Sequence, residues 1–254
     1  MINIRTLTLT VSLMLGGLIA LPGMAIAEVQ NIVLVHGGNV DGSTWRGVFD
    51  RLTAKGLKVT VTQLPMTSVE DDVAAVQRSL DVQDGPVLLV AHSYGGVVVT
   101  EAGIDPDVKG LVYVTAFQPD IGESGGDLLA SATSNFTADK LTITDDGFLL
   151  VNDDALISLA GNGLSEADAL FLARSQAWVN AGNLAHKVTS AAWQDKPSWM
   201  TVATEDLLIS PKLQRRMAER AGSTIIEIKN GHMLPMTNPV EVAEVIAQAA
   251  KAVK

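Results

Sequence analysis

The chain has 254 residues, of which 47% are hydrophobic and 18% charged, and its formal net charge at pH 7 is −10. That length and apolar content allow one large domain, or two small ones, with a sizeable core, and they exclude a disordered or fibrous protein. The acidic balance repels phosphate backbones, so nucleic acid is not expected as a partner, and the lack of cysteine excludes a disulfide framework, a thiol nucleophile and a cysteine zinc site.

Arg5 is the only charged residue before Glu28. An apolar run from Leu7 to Leu21 follows it, Pro22-Gly23 breaks the run, and Ala25-Ile26-Ala27 has the small-x-small pattern of a signal-peptidase site. Residues 1–27 therefore read as a cleaved secretory signal, leaving residues 28–254 as a periplasmic or secreted protein without stable membrane association. The alternative is an uncleaved anchor.

The first buried strand is expected at Gln30–His36, entering the glycine-bearing loop Gly37–Gly42. Ser43 or Thr44 can cap a helix that runs to about Leu52, with Trp45, Val48, Phe49 and Leu52 at helical spacing. Lys58–Leu64 alternates and is rich in β-branched residues, as a strand does, and Ser68 opens a helix with acids in its first turn that runs to about Leu80.

Pro86–Ala91 is a continuous apolar run, the pattern of a strand buried on both faces of a parallel sheet. It ends at His92-Ser93-Tyr94-Gly95-Gly96, which puts a serine between small residues where strand should become helix. This is the G-x-S-x-G nucleophile elbow with Ala91 in place of the first glycine. A helix from Tyr94 to about Gly103 and a strand over Lys109–Phe117 continue the alternation. Strands alternating with helices imply crossovers, hence a mostly parallel sheet with helices on both faces.

From about Gln118 to Lys196 the rhythm changes. Leu141–Val151 reads as a hairpin about Asp145-Asp146-Gly147, among helical candidates at Gly126–Ser131, Asp154–Leu159 and Ser165–Val179. This block has no continuous buried strand and is taken as an inserted cap. The core pattern resumes with a strand at Ser198–Ala203, a helix at Pro211–Ala221, a strand at Thr224–Ile228 and a helix at Pro239–Ala252 capped by Asn238.

A serine hydroxyl is a weak nucleophile unless a base takes its proton and a third group orients that base. Of four histidines, His36 and His92 sit at strand ends and read as structural, while His186 lies in or near the cap. His232 follows the last strand and therefore hangs at the carboxyl edge of the sheet, where Ser93 also sits. Asp206, preferred over its neighbour Glu205, follows the preceding strand, which completes the chain order serine, acid, histidine. The N–H of Tyr94 at the helix start and that of Gly38 in the first loop are the expected oxyanion donors. Trp45, Met66, Phe117, Met200 and Met233 are candidate pocket walls. No Walker loop, G-x-G-x-x-G, H-E-x-x-H or calcium loop is present, so no cofactor or metal is expected.

Together, His36-Gly37-Gly38, Ala91-His92-Ser93-Tyr94-Gly95, Glu205-Asp206 and Gly231-His232 resemble the α/β-hydrolase superfamily across essentially the whole mature chain. The histidine-glycine loop followed by Trp45, the elbow and the hairpin-bearing cap are most similar to small serine esterases: plant methylesterases, hydroxynitrile lyases and bacterial pyrethroid-type carboxylesterases. The resemblance implies an α/β-hydrolase fold and a Ser93, Asp206, His232 triad acting on a small-molecule ester. Family lyases carry a lysine just after the catalytic histidine and a threonine just after the loop histidine, where this chain has Met233 and Gly37. Dehalogenases and epoxide hydrolases of the fold use aspartate in place of Ser93. A small or medium apolar carboxylic ester is thus the expected substrate, with perhydrolysis, lyase-like chemistry or silent binding of a hydrophobic ligand as alternatives.

Overall fold

Residues 29–253 are described by a computed structural model; the expected signal at 1–27 lies outside them. In chain order the core contains β1 (Asn31–Val35), α1 (Arg46–Ala54), β2 (Lys58–Thr62), α2 (Val69–Leu80), β3 (Val87–His92), α3 (Gly95–Ala102) and β4 (Val108–Val114). The chain then passes through α4 (Gly125–Ala130), β5 (Leu141–Ile143), β6 (Phe148–Val151), α5 (Asp153–Ala160), α6 (Glu166–Arg174) and β7 (Val179–Asn180). It returns through β8 (Ser198–Ala203), α7 (Pro211–Ala221), β9 (Thr224–Ile228), α8 (Leu234–Thr237) and α9 (Pro239–Ala252).

Six strands form one sheet in the order β2-β1-β3-β4-β8-β9, every neighbouring pair parallel. Successive side chains of β3 point to opposite faces. Leu88 and Val90 pack with Trp45, Val48 and Leu52 of the α1 region and with Val242 and Ile246 of α9. Val87, Leu89 and Ala91 pack with Val76 of α2, Val98 of α3 and Met217 of α7. Because both faces are covered, the strand reads as an unbroken apolar run, and all six of its residues are buried.

Between β4 and β8 the chain leaves this sheet and builds a second one, antiparallel, in the order β5-β6-β7. The expected hairpin is present, turning at Gly147 with φ +87°. The helix expected over Ser165–Val179 stops at Arg174, because Val179 is taken as a strand partner by Leu149. Two caps also differ from expectation. Asp41, not Ser43 or Thr44, accepts the Ser43 N–H at 2.7 Å and starts a 3₁₀ turn at Gly42–Trp45 that leads into α1. Asn238 stands before α9 but makes no cap bond, its oxygen being held by Asn230 Nδ2 at 2.9 Å. No helix among the described residues is long and apolar enough to cross a membrane.

Candidate active site

Ser93 sits at the turn from β3 into α3 with φ +53°, a left-handed conformation that is strained for a non-glycine residue. Hydrogen bonds fix it there: its N–H donates to the Val114 carbonyl at 3.3 Å, and its own carbonyl accepts from Gly96 N–H at 3.0 Å and Phe117 N–H at 3.1 Å. The turn is tight enough that a Cβ on Gly95 would lie 2.5 Å from the His36 carbonyl oxygen, and one on Gly96 would lie 1.9 Å from that of Phe117. Only glycine fits at either position.

His232 Nε2 lies 2.8 Å from Ser93 Oγ, and His232 Nδ1 lies 2.8 Å from Asp206 Oδ2. All three residues are buried. Each follows a different strand, β3, β8 and β9, at the carboxyl edge of the sheet. Asp206 is tied down on its other sides: Oδ1 accepts the N–H groups of Leu208 at 2.8 Å and Ile209 at 3.0 Å, and Oδ2 also accepts Gln214 Nε2 at 2.8 Å. Gln214 was not singled out from sequence, since a lone glutamine in an amphipathic helix reads as solvated surface. Glu205 points elsewhere, 3.8 Å from Lys229 Nζ at the surface.

The His232 loop is held by its backbone. Its carbonyl accepts His92 Nε2–H at 3.0 Å and lies 3.0 Å from Thr115 Oγ1. Burial, with the His232 ring beside it, holds His92 well below the usual imidazole range, so it stays neutral. His36 is likewise lowered by burial; its Nδ1–H donates to the Gly37 carbonyl at 2.8 Å and its Nε2 accepts the Leu64 N–H at 3.0 Å. Both therefore shape loops, as their strand-end positions suggest. His186 lies 3.2 Å from Glu101 and 3.5 Å from Glu70, outside the site.

Gly38 and Tyr94 come close: a Cβ on Gly38 would stand 3.5 Å from Tyr94 Cβ. Neither residue's N–H is engaged by an acceptor among the described residues, so both remain able to bind an oxygen developing negative charge.

The cavity beside His232 measures about 70 Å³ and opens to solvent. Phe117 and Met233 line it, as expected, together with Val40, Leu129 and Leu208. Most of the remaining wall comes from the cap, through Phe136, Leu149, Val151, Leu156, Leu172 and Val179. No aspartate, glutamate, lysine or arginine lines it. Three expected wall residues are elsewhere. Trp45 is wholly buried on the α1/α9 face, its ring edge-on to His92 with centroids 6.4 Å apart. Met200 is wholly buried on the opposite face of the sheet. Met66, at φ +57°, turns inward and uses its backbone to join α2 to the cap. Each is apolar near the sheet edge, and in a sheet covered on both sides that position serves core as readily as cavity.

Comparison with known proteins agrees with this architecture. The chain is 24% identical over 242 residues to the alpha/beta hydrolase nvfD of Aspergillus novofumigatus, covering 86% of this chain and 96% of that one. It is 26% identical over 253 residues to methylesterase 7 of Arabidopsis thaliana, covering 87% and 96%. Among solved structures, a pyrethroid hydrolase from Sphingobium faniae JZ-2 superposes with a TM-score of 0.76 at 20% identity, covering 88% of this chain and 98% of that one. Residues 32–245 match the alpha/beta hydrolase family, and the chain belongs to it.

Proposed function

We propose that this protein is a serine hydrolase of the carboxylesterase type, cleaving small to medium apolar carboxylic esters through an acyl-enzyme. The observation that carries the reading is the unbroken relay from Ser93 Oγ through His232 to Asp206, 2.8 Å at each step, beside a cavity without fixed charges. Ser93 Oγ attacks the ester carbonyl while His232 Nε2 takes its proton, and Asp206 holds Nδ1–H and balances the imidazolium. The Gly38 and Tyr94 N–H groups hold the oxyanion. Collapse of the tetrahedral intermediate expels the alcohol, which takes the proton from His232. Water then attacks the acyl-enzyme by the same route, releasing the acid and restoring Ser93. The relatives named as a hydrolase and a methylesterase support hydrolysis of an ester, and the apolar wall supports a neutral substrate.

In this reading residues 28–254 form one domain with its cap inserted over 118–196, and residues 1–27 are a signal that directs the chain to the periplasm or outside the cell. Purified protein lacking residues 1–27 is expected to take up a fluorophosphonate probe at Ser93, located by peptide mass spectrometry, and to lose that labelling in His232→Ala. A folded protein that takes no label would favour silent ligand binding. Labelling without ester turnover, but with peroxyacid formation or mandelonitrile cleavage, would assign the same triad to another reaction.

A further inference from the structure

Two N–H groups must be aimed at one oxygen position for the proposed oxyanion hole to work, and the side chains nearest to both reach into the cap. Asn39 follows Gly38 and lies in the left-handed region at φ 58°, which asparagine tolerates better than other residues with a side chain. Its amide nitrogen donates twice into the cap, to the Leu149 carbonyl at 3.2 Å and to the Ala177 carbonyl at 3.1 Å. The Ala177 N–H donates back to the Asn39 carbonyl at 3.3 Å. Leu149 belongs to β6 and Ala177 to the segment after α6, so one side chain ties the glycine loop to two separate parts of the cap.

Tyr94 is tied from the opposite side. Its hydroxyl donates to Asp72 Oδ2 at 2.6 Å and accepts Asn183 Nδ2 at 3.0 Å. Asn183 stands in the cap turn Ala181–Leu184, and Asp72 is wholly buried in α2, its other oxygen accepting the Met66 N–H at 2.7 Å. The Met66 carbonyl closes the network by accepting the Asn180 N–H of the cap at 2.9 Å. No side-chain atom of Asp72, Tyr94 or Asn183 is left fully buried without a partner, and a buried network satisfied in that way specifies one geometry.

We propose that the cap sets the position of the oxyanion hole, with Asn39 and the Tyr94 hydroxyl acting as positioning residues that fix the Gly38 and Tyr94 N–H groups from the cap side. The proposal rests on the serine-hydrolase reading above. Neither the Asn39 amide nor the Tyr94 hydroxyl takes part in a bond-making step; each acts through a backbone N–H. The cap then completes the catalytic apparatus as well as bounding the substrate.

Three variants test this. Asn39→Gly keeps the left-handed backbone and removes the amide, Tyr94→Phe keeps the N–H and the ring, and Asn183→Ala removes the cap end of the second link. A displacement of about 1 Å at a catalytic group costs on the order of 100-fold in rate, so kcat for p-nitrophenyl butyrate is expected to fall about 10- to 100-fold in the first two. KM should stay within about threefold, the pattern of an interaction made only in the transition state. Affinity for an apolar trifluoromethyl ketone, which forms a tetrahedral adduct on Ser93, should fall in step with kcat. Adding Asn183→Ala to Tyr94→Phe should cost nothing further. Should Asn39→Gly fail to fold, the Tyr94 and Asn183 pair carries the test. Unchanged kcat with raised KM, or full affinity for the ketone, would overturn the proposal while leaving the serine-hydrolase reading intact. A wild-type protein with neither turnover nor a Ser93 adduct would overturn both.

Discussion

The six-stranded sheet and the cap contribute to the site in different ways. Ser93, Asp206 and His232 hang from the ends of β3, β8 and β9, and their spacing is set by strand register, which every buried side chain on both faces helps to hold. Half of the residues lining the cavity come instead from the cap, whose elements are none longer than nine residues and are tied to distant loops by hydrogen bonds. Rigid regular structure carries the Ser93, His232 and Asp206 relay, and the smaller irregular layer bounds the volume beside it and, in the proposal above, positions the oxyanion hole. Such a division allows the wall to vary without moving Ser93.

The most severe way to break that division is at the sheet end of the relay. Asp206→Asn is expected to lower kcat by about 10³- to 10⁴-fold by mis-setting the His232 tautomer. Steady-state rates on p-nitrophenyl esters from acetate to octanoate should fall uniformly, with no change in chain-length preference. Met200→Ala tests the sheet without touching the cavity. Removing that wholly buried side chain should destabilise the fold by about 2–5 kcal/mol in urea titrations, while kcat/KM of the folded fraction stays unchanged.

A cap variant should do the reverse. Leu156→Ala enlarges the cavity from its cap wall, and kcat/KM for longer acyl chains relative to acetate is expected to rise about tenfold, the worth of a methylene or two in an apolar pocket. An equal change for all chain lengths would mean that the cap acts on chemistry at this point also. The smallest effect concerns pH. Burial lowers the folded pKa of His36, and that of His92 further, below the unfolded value of about 6.5. The unfolded chain therefore binds more protons below that value, and stability is present above it and lost as pH falls. The slope contributed by each histidine is bounded by about 1.4 kcal/mol per pH unit, the limit for one proton, and His92, the more strongly lowered, should contribute more of it. Urea midpoints measured between pH 7.5 and 5.5 should show it, and His92→Gln, whose amide can still donate to the His232 carbonyl, should remove the His92 share and leave that of His36.

What could be read from the sequence follows the same division. β3 and the elbow were legible because an apolar run ending in Ala91-His92-Ser93-Tyr94-Gly95 has few structural solutions. Asp206 and His232 were legible because each stands just past a strand, in the chain order the elbow requires. The cap hairpin was found from its turn residues, but β7 was not, since two residues carry no period of their own. Asn39 is not marked out within the loop Gly37–Gly42, because its acceptors lie 110 and 138 positions away. Trp45, Met66 and Met200 were misplaced because apolar character marks burial and does not say which face of a doubly covered sheet receives the side chain.

The relay described above joins residues 139 positions apart, and its base stands beyond the last strand. A chain emerging from the ribosome can place the elbow, the glycine loop and the entire cap before His232 exists to meet Ser93. Its catalytic competence is therefore a property of the finished molecule, gained only when β9 adds to the edge of the sheet beside β8. Because β4 must find β8 across the whole cap before β9 can pair at the edge, and pairings distant in sequence form slowly, recovery of turnover after dilution from denaturant should lag behind recovery of helical signal.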